Sequence, residues 1–293
     1  MTLEQLNKRI ETTQDLRNIV STMKMLSSVS VTQYAKAHDG ILHYRHILSD
    51  GFQALHLNGY LSGKIAQPIE NAKTLVVLIG SDNGLVGSFN KNIIKSAERQ
   101  LKSVPKENRF YICLGRKICA IAQYAGIKTE YTFPISNTIE EIADIASQLL
   151  IHIQEVKAKY KIERVLIFYN KKTNQGAKVQ SEQLFPFSET VFQKNKKWQG
   201  KGYPLIDMDY KDLFVSLIHE YITTMISGAV ISSLACEHYM RMINMQQAEK
   251  NIDEKLEEMN LIYAQNRQTE ITDELIDIIS GANSLTQKKK VTK

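Results

Sequence analysis

Proline is scarce and unevenly placed: five residues in 293, none among the first 67 and none among the last 89. Proline removes a backbone donor and crowds the preceding turn. Its absence leaves both ends free to form long helices, while turns concentrate between Pro68 and Pro204. Cysteine is as sparse. Cys113, Cys119 and Cys236 make neither a C-x-x-C pair nor an even set, which argues against a disulfide framework or a zinc cluster and suits a reducing compartment. No apolar run approaches the roughly 20 residues that cross a bilayer, and MTLEQLNKRIETT lacks the apolar stretch of a signal peptide. Membrane association is therefore expected only through partners. The net charge of +6 comes from scattered basic residues, dense only at Lys194-Asn195-Lys196-Lys197 and Lys288-Lys289-Lys290. These read as a solvated loop and a terminus, which argues against a nucleic-acid partner and leaves room for an acidic one.

What is present is periodicity at both ends. Ala235, Tyr239, Met242, Met245, Ala248, Ile252, Leu256, Met259 and Tyr263 recur with a mean step of 3.5 residues, the seam period of a left-handed coiled coil. Glu249, Lys250, Asp253, Glu254, Glu257 and Glu258 fill the positions between. A weaker series runs through Leu3, Leu6, Ile10, Thr13, Val20, Met23, Ser30, Tyr34, Ala37, Ile41, Tyr44 and Leu48. As single helices, Leu3–Leu48 would span about 70 Å and Asp212–Ser284 about 110 Å, with Gly40 and Gly228 each costing about 1 kcal/mol. Such apolar stripes need a partner surface, and antiparallel pairing of the two ends supplies it.

The middle alternates short apolar runs, Leu75–Ile79, Phe110–Leu114 and Val165–Tyr169, with helical patterns at Asn90–Val104, Lys117–Tyr124 and Ile139–Tyr160. That alternation predicts a mainly parallel sheet with crossover helices, with Lys178–Phe187 as an added edge strand and Gln193–Gly202 as a polar link. The expected fold is α/β: an antiparallel coiled coil of long N- and C-terminal helices plus an inserted α/β domain with a mainly parallel sheet, divided as 1–67, 68–204 and 205–293.

One stretch imitates a nucleotide site. In VVLIGSDNGLVGSFN, Val76–Asn90, an apolar run ends in three glycines before a helical pattern, as in phosphate-cradling turns. The spacing of Gly80, Gly84 and Gly87 is G-x-x-x-G-x-x-G rather than G-x-G-x-x-G, and Ser88 stands where a P-loop has lysine. Asp82 would also repel a phosphate. The glycines are read as conformational, and no cofactor is expected. His38, His43 and His46 crowd one region, with His43 and His46 at i, i+3 spacing; a metal site would want a third ligand and a second shell, and the three read as an exposed helix face. The acid pairs Glu140-Glu141 and Glu257-Glu258 read as solvated faces, and Met240, Met242, Met245 and Met259 as seam packing. No catalytic or metal residues are assigned.

Near the C-terminus, ITDELIDIISGANS carries Ile271, Thr272, Glu274, Asp277, Gly281, Ala282 and Ser284, and these resemble the C-terminal signature of the F-type ATP synthase gamma subunit family. Glu237, Arg241-Met242, Met245, Ala248 and Asn251 resemble its second helical block, Met23-Lys24-Met25 its M-K-M element, and SDNGLVGSFN its middle-domain turn. The resemblance runs from about Leu3 to Leu285. It implies a non-catalytic rotor shaft inside a ring of alpha and beta subunits. The α/β domain would lie at the foot, against the epsilon (delta-type) subunit and the membrane c-ring. The shaft would sit peripheral to the energy-transducing membrane, on the cytoplasmic face in bacteria or the matrix face in mitochondria. Proton flow would turn ring and shaft together.

By the same resemblance, Met23, Lys24, Glu237, Arg241, Arg267, Gln268, Ile276, Ile279 and Leu285 are expected to contact the alpha/beta ring. Met23 and Lys24 would face an acidic beta-subunit segment, and Ile276, Ile279 and Leu285 would lie at the shaft tip. The chain departs from the family after Met25, where Leu26-Ser27-Ser28-Val29-Ser30-Val31-Thr32 replaces the usual alanines and basic run. Asn244 replaces a usual alanine, Val86 a cysteine, Ser88 a glycine, and Asn83 a basic residue. Two other readings compete: a small α/β nucleotide-binding enzyme, which needs a phosphate site at Gly80–Ser88, and a free-standing coiled-coil adaptor.

Overall fold

A computed structural model describes residues 2–60, 72–136, 138–174, 176–187, 198, 202 and 204–291, with side chains described to 280. In chain order the elements are α1 (Leu3–Leu57), β1 (Thr74–Ile79), α2 (Phe89–Gln100), β2 (Arg109–Leu114), α3 (Arg116–Tyr124), β3 (Tyr131–Phe133), α4 (Ile142–Tyr160), β4 (Arg164–Thr173), β5 (Gly176–Phe185) and α5 (Tyr210–Val291). The proline-free ends are each one helix, and Gly40 and Gly228 lie within them. The chain divides into two compact units, one of 1–25 with 243–293 and one of 26–242.

In the first unit the two helices run antiparallel. Leu6 is buried with Leu256 and Met259, flanked by Ile10, Ile252 and Tyr263. Further along, Arg17 pairs with Asp253 at 2.5 Å and Lys24 with Glu249, so contacts on α5 move backward as those on α1 move forward. The C-terminal series is the seam as expected, with Met245, Leu256 and Met259 buried. The N-terminal seam differs from its apolar reading: Arg17 and Lys24 occupy it as ion-paired side chains. Beyond Tyr263, every α5 residue from Ala264 to Ser280 is exposed.

In the second unit five strands form one sheet in the order β3-β2-β1-β4-β5, parallel except for the antiparallel β4–β5 hairpin. Strand β3 escaped the sequence reading because three residues give too short a pattern to register. Both faces of β1 are buried, which is why it reads as a continuous apolar run. One face packs Leu75, Val77 and Ile79 against α4, Tyr34 of α1 and Met225–Leu234 of α5. The other packs Val76, Leu78 and Phe168 against α2 and α3.

Within this unit α1 again pairs antiparallel with α5: Tyr34 stacks on His238, Tyr44 bonds Glu220, and Phe52 meets Phe214 and Tyr221 edge-on. Tyr44, expected in the seam, is 41% exposed; the half-buried position is its neighbour Arg45. A Cβ at Gly228 would stand 3.1 Å from Ile41 Cγ2, so glycine there lets the helices close.

One α5 window within Tyr210–Ser280 has a mean hydropathy of 1.4, enough by length and composition to cross a membrane, and 44% of it is buried in the fold. This corrects the expectation that no such run exists. Met225, Ile226, Ala229, Val230, Ile231 and Leu234 of this helix are buried in the sheet-facing core.

Candidate functional site

In open α/β sheets, ligands enter the crevice beyond the carboxyl ends of the strands, where strand order reverses. Here that point lies between β1 and β4, at the glycine-rich turn, and the chain fills it with its own groups. Ser233 of α5 donates to the carbonyl of Ile79, the last residue of β1, at 3.2 Å. Asn170 of β4, buried, donates to the carbonyl of Phe89 at the start of α2. Asn90 accepts from the Ser81 N–H and donates to its Oγ, closing the turn from within.

Gly80 is required by approach rather than by dihedral angle: a Cβ there would lie 2.3 Å from Ile118 Cβ and 2.5 Å from Asn90 Oδ1. Gly87, by contrast, adopts φ +60, and Leu85 adopts φ +65. The expected conformational role therefore holds for Gly87 and not for Gly80.

Asp82 takes the place an anion would take. Its Oδ1 accepts from the backbone N–H of Arg116 and Ile135 at 2.9 and 3.1 Å, and its Oδ2 accepts from Arg116 Nε at 2.9 Å. Arg116 is the first residue of α3, so the carboxylate sits at the positive end of that helix. The cleft alongside also receives Glu141 and Asp144 against the single Arg116, a charge balance hostile to phosphate. Asp82→Ala is expected to lower the unfolding free energy by about 1–3 kcal/mol, because two backbone donors lose their acceptor; urea denaturation reads it.

A second polar group lies deeper. Glu237 Oε1 accepts from Arg241 Nη2 at 2.5 Å, with the two residues 3% and 7% exposed. Burial pushes the Glu237 carboxyl up to about 7 despite the guanidinium beside it. Burial and the same guanidinium push His238 down to about 4, and its buried Nε2 has no protein partner. Burial, reinforced by Glu237, raises the Tyr34 hydroxyl to about 12. All three thiols are buried and none is in a disulfide; burial raises Cys236 to about 12, whereas the neighbouring Cys113 lowers Cys119. Among the described residues no three His, Cys, Asp or Glu side chains converge as metal ligands.

The contact residues expected from the sequence fall into three groups. Lys24 is half-buried and paired with Glu249, with Met23 half-buried beside it. Glu237 and Arg241 are engaged with each other inside the second unit. Arg267, Gln268, Ile276 and Ile279 are exposed on the unpartnered end of α5, and the Leu285 side chain lies outside the described residues. The basic run 194–197 and most of the expected link 193–202 also lie outside them. Sequence reasoning missed the Ser233, Asn90 and Asn170 bonds. The i, i+4 spacing of Glu237 and Arg241 was the one legible signal of their pair.

The sheet has its crevice filled by the chain's own groups, and the terminal helices pair along an ion-paired seam; the class these define is an α/β sheet combined with long paired helices. The comparisons agree. The family model for ATP synthase matches residues 2–285. The chain is 27% identical over 287 residues to the ATP synthase gamma chain of Malacoplasma penetrans, covering 96% of this chain and 98% of that one. It is 29% identical over 296 residues to that of Trichlorobacter lovleyi, covering 97% and 98%. A chain in the Euglena gracilis mitochondrial ATP synthase, in a structure of its OSCP, F1 and c-ring, superposes with a TM-score of 0.69 at 19% identity, covering 99% and 96%. One in the central stalk and c-ring of the Tetrahymena thermophila enzyme gives 0.57 at 19%, covering 78% and 99%. The chain belongs to the ATP synthase gamma-chain family, as a non-catalytic subunit of the central stalk of the F-type enzyme.

Proposed function

We propose that the chain is the turning shaft that couples proton-driven rotation of the c-ring to the catalytic states of an alternating alpha/beta ring, with the epsilon (delta-type) subunit at its foot. One observation carries this reading. Helix α5 is unbroken from Tyr210 to Val291 and contributes both to the core of the α/β unit and to the coiled seam. A helix that belongs to both units is what a shaft with a domain at its foot requires. On this reading residues 1–67 and 205–293 are the shaft segments and 68–204 the domain at the foot. The complex is peripheral to the energy-transducing membrane, on the cytoplasmic face of a bacterium or the matrix face of a mitochondrion.

Contact with the ring falls first to the exposed end of α5: Arg267 and Gln268 as polar contacts, Ile276 and Ile279 as apolar ones that turn without forming fixed ion pairs, and Leu285 beyond them. Met23 and Lys24 face the ring from the seam. Glu237 and Arg241, engaged with each other in the free chain, are proposed as ring contacts on the same helix. Such a shaft acts by contacting each catalytic conformation differently, which biases their populations in turn.

The test is reconstitution with alpha and beta subunits from the same source. One copy of this chain per three alpha and three beta, with cooperative ATP hydrolysis that depends on it, is the expected result. A chain that stays apart from them and binds nucleotide alone would overturn the reading.

A further inference from the structure

We propose that the groove between α1 and the end of the β4–β5 hairpin is a docking site for an acidic peptide segment of a neighbouring subunit. The inference rests on the stalk reading above and adds a surface to it. The groove, of about 200 Å³, is lined by Val31, Ala35 and His38 of α1, Lys171 and Lys172 of β4, and Ala235 of α5.

Its charge is built in by strand register. Lys171 lies directly opposite Lys178 across the hairpin, and like charges so placed destabilise a ladder unless an anion joins them. Lys171, Lys172 and Lys178 are exposed, and among the described residues none forms an ion pair. Lys172 Nζ stands 4.5 Å over the Tyr239 ring, which holds it toward α5. Two carboxylates oppose these lysines: Asp39 lines the groove, and Glu182, which accepts from the Tyr169 hydroxyl at 2.5 Å, acts on His38 from nearby. Burial, and Lys171 beside it, push His38 downward, so the positive field is that of the lysines.

The adjoining stretch of α1, Leu26–Ala35, carries no charge at all. The hairpin sets Lys171 and Lys172 beside Val31 and Ala35 of that stretch. The mostly apolar lining, with cations along one wall, suits an extended peptide with acids on one side. A free phosphate would want convergent backbone donors instead.

The probe is a fluorescein-labelled peptide of alternating glutamate and alanine, titrated into the full chain at low salt. Lys171→Glu/Lys172→Glu/Lys178→Glu is expected to weaken binding about tenfold or more, and high salt to do the same to the unaltered chain. The single variant Lys178→Glu converts the like-charge pair into an ion pair, so it is expected to weaken binding while melting no lower. Unchanged affinity in both variants would overturn the proposal, as would displacement of the peptide by inorganic phosphate at equal concentration, which would mark a simple anion site. Assembly with alpha and beta subunits is measured in parallel. Failure of the unaltered chain to assemble sinks the stalk reading. Assembly with peptide binding indifferent to the lysines sinks only the groove.

Discussion

Replacing Arg241 by methionine is expected to cost about 3–5 kcal/mol of unfolding free energy at pH 8, because it leaves Glu237 buried and uncompensated. Replacing both, as Glu237→Leu/Arg241→Met, is expected to recover most of that loss, since an apolar pair of similar volume needs no compensation. The deficit of the single variant should also grow with pH. Glu237 has its folded-state pKa raised, from 4.5 to about 7, so the folded state holds the proton more tightly and stability falls as pH rises through that window. Removing the guanidinium raises the carboxyl further and extends the fall to higher pH.

His238 works in the opposite sense. Its pKa is lowered from 6.5 to about 4, so the unfolded state binds the proton more readily and stability falls as pH drops through that window. In the unaltered chain the two slopes oppose each other between about pH 4.5 and 6.5. Glu237→Gln should therefore expose acid sensitivity, and His238→Gln should expose a decline toward neutral pH. Denaturant midpoints measured from pH 4.5 to 8 separate these outcomes. Parallel profiles for the two variants would show that the pair does not titrate as described.

Gly80→Ala is expected to cost about 3 kcal/mol or more, a large effect for one methyl group, at the upper end of overpacking penalties in a filled core. The new Cβ would meet Ile118 Cβ at 2.3 Å and Asn90 Oδ1 at 2.5 Å, neither of which is the free end of a flexible chain. Relief requires α3 to shift or Asn90 to leave Ser81, and the second course leaves a buried amide unsatisfied. Gly84→Ala is the control. Nothing lies within 4 Å of a Cβ there, so its urea midpoint should move little. A Gly80→Ala midpoint as close to the unaltered protein's as that of Gly84→Ala would contradict the packing described.

The architecture was legible where one physical requirement dominates. Proline placement announced the terminal helices, and the 3.5-residue recurrence from Ala235 to Tyr263 announced the C-terminal seam, because burial of an apolar stripe leaves a period in the sequence. The N-terminal seam was legible only in part. Arg17 and Lys24 sit in it, and a hydrophobic period cannot register a half-buried position filled by an ion pair whose other half, Asp253 or Glu249, lies more than 200 residues away. The glycine turn could be judged a poor phosphate site from its missing lysine and from Asp82. That Asp82 stands at the N-terminus of α3, and that Ser233 reaches β1 from a distant helix, are tertiary facts with no local signature. The resemblance of the C-terminal signature supplied what periodicity could not: a reason for an exposed helical end.

That end has a thermodynamic consequence. Among the described residues no other helix covers Ala264 to Ser280 of α5, and Ile271, Leu275, Ile276, Ile278 and Ile279 are each about half or more exposed. A solitary helix of this length is marginal in water, so its order in the free chain is borrowed from the seam below it and weakens toward the terminus. On the proposed reading, enclosure by a ring of subunits would both remove apolar surface from water and fix a segment that was only partly fixed. Assembly should carry a large negative heat capacity change and an unfavourable ordering entropy, the thermodynamic signature of folding coupled to binding.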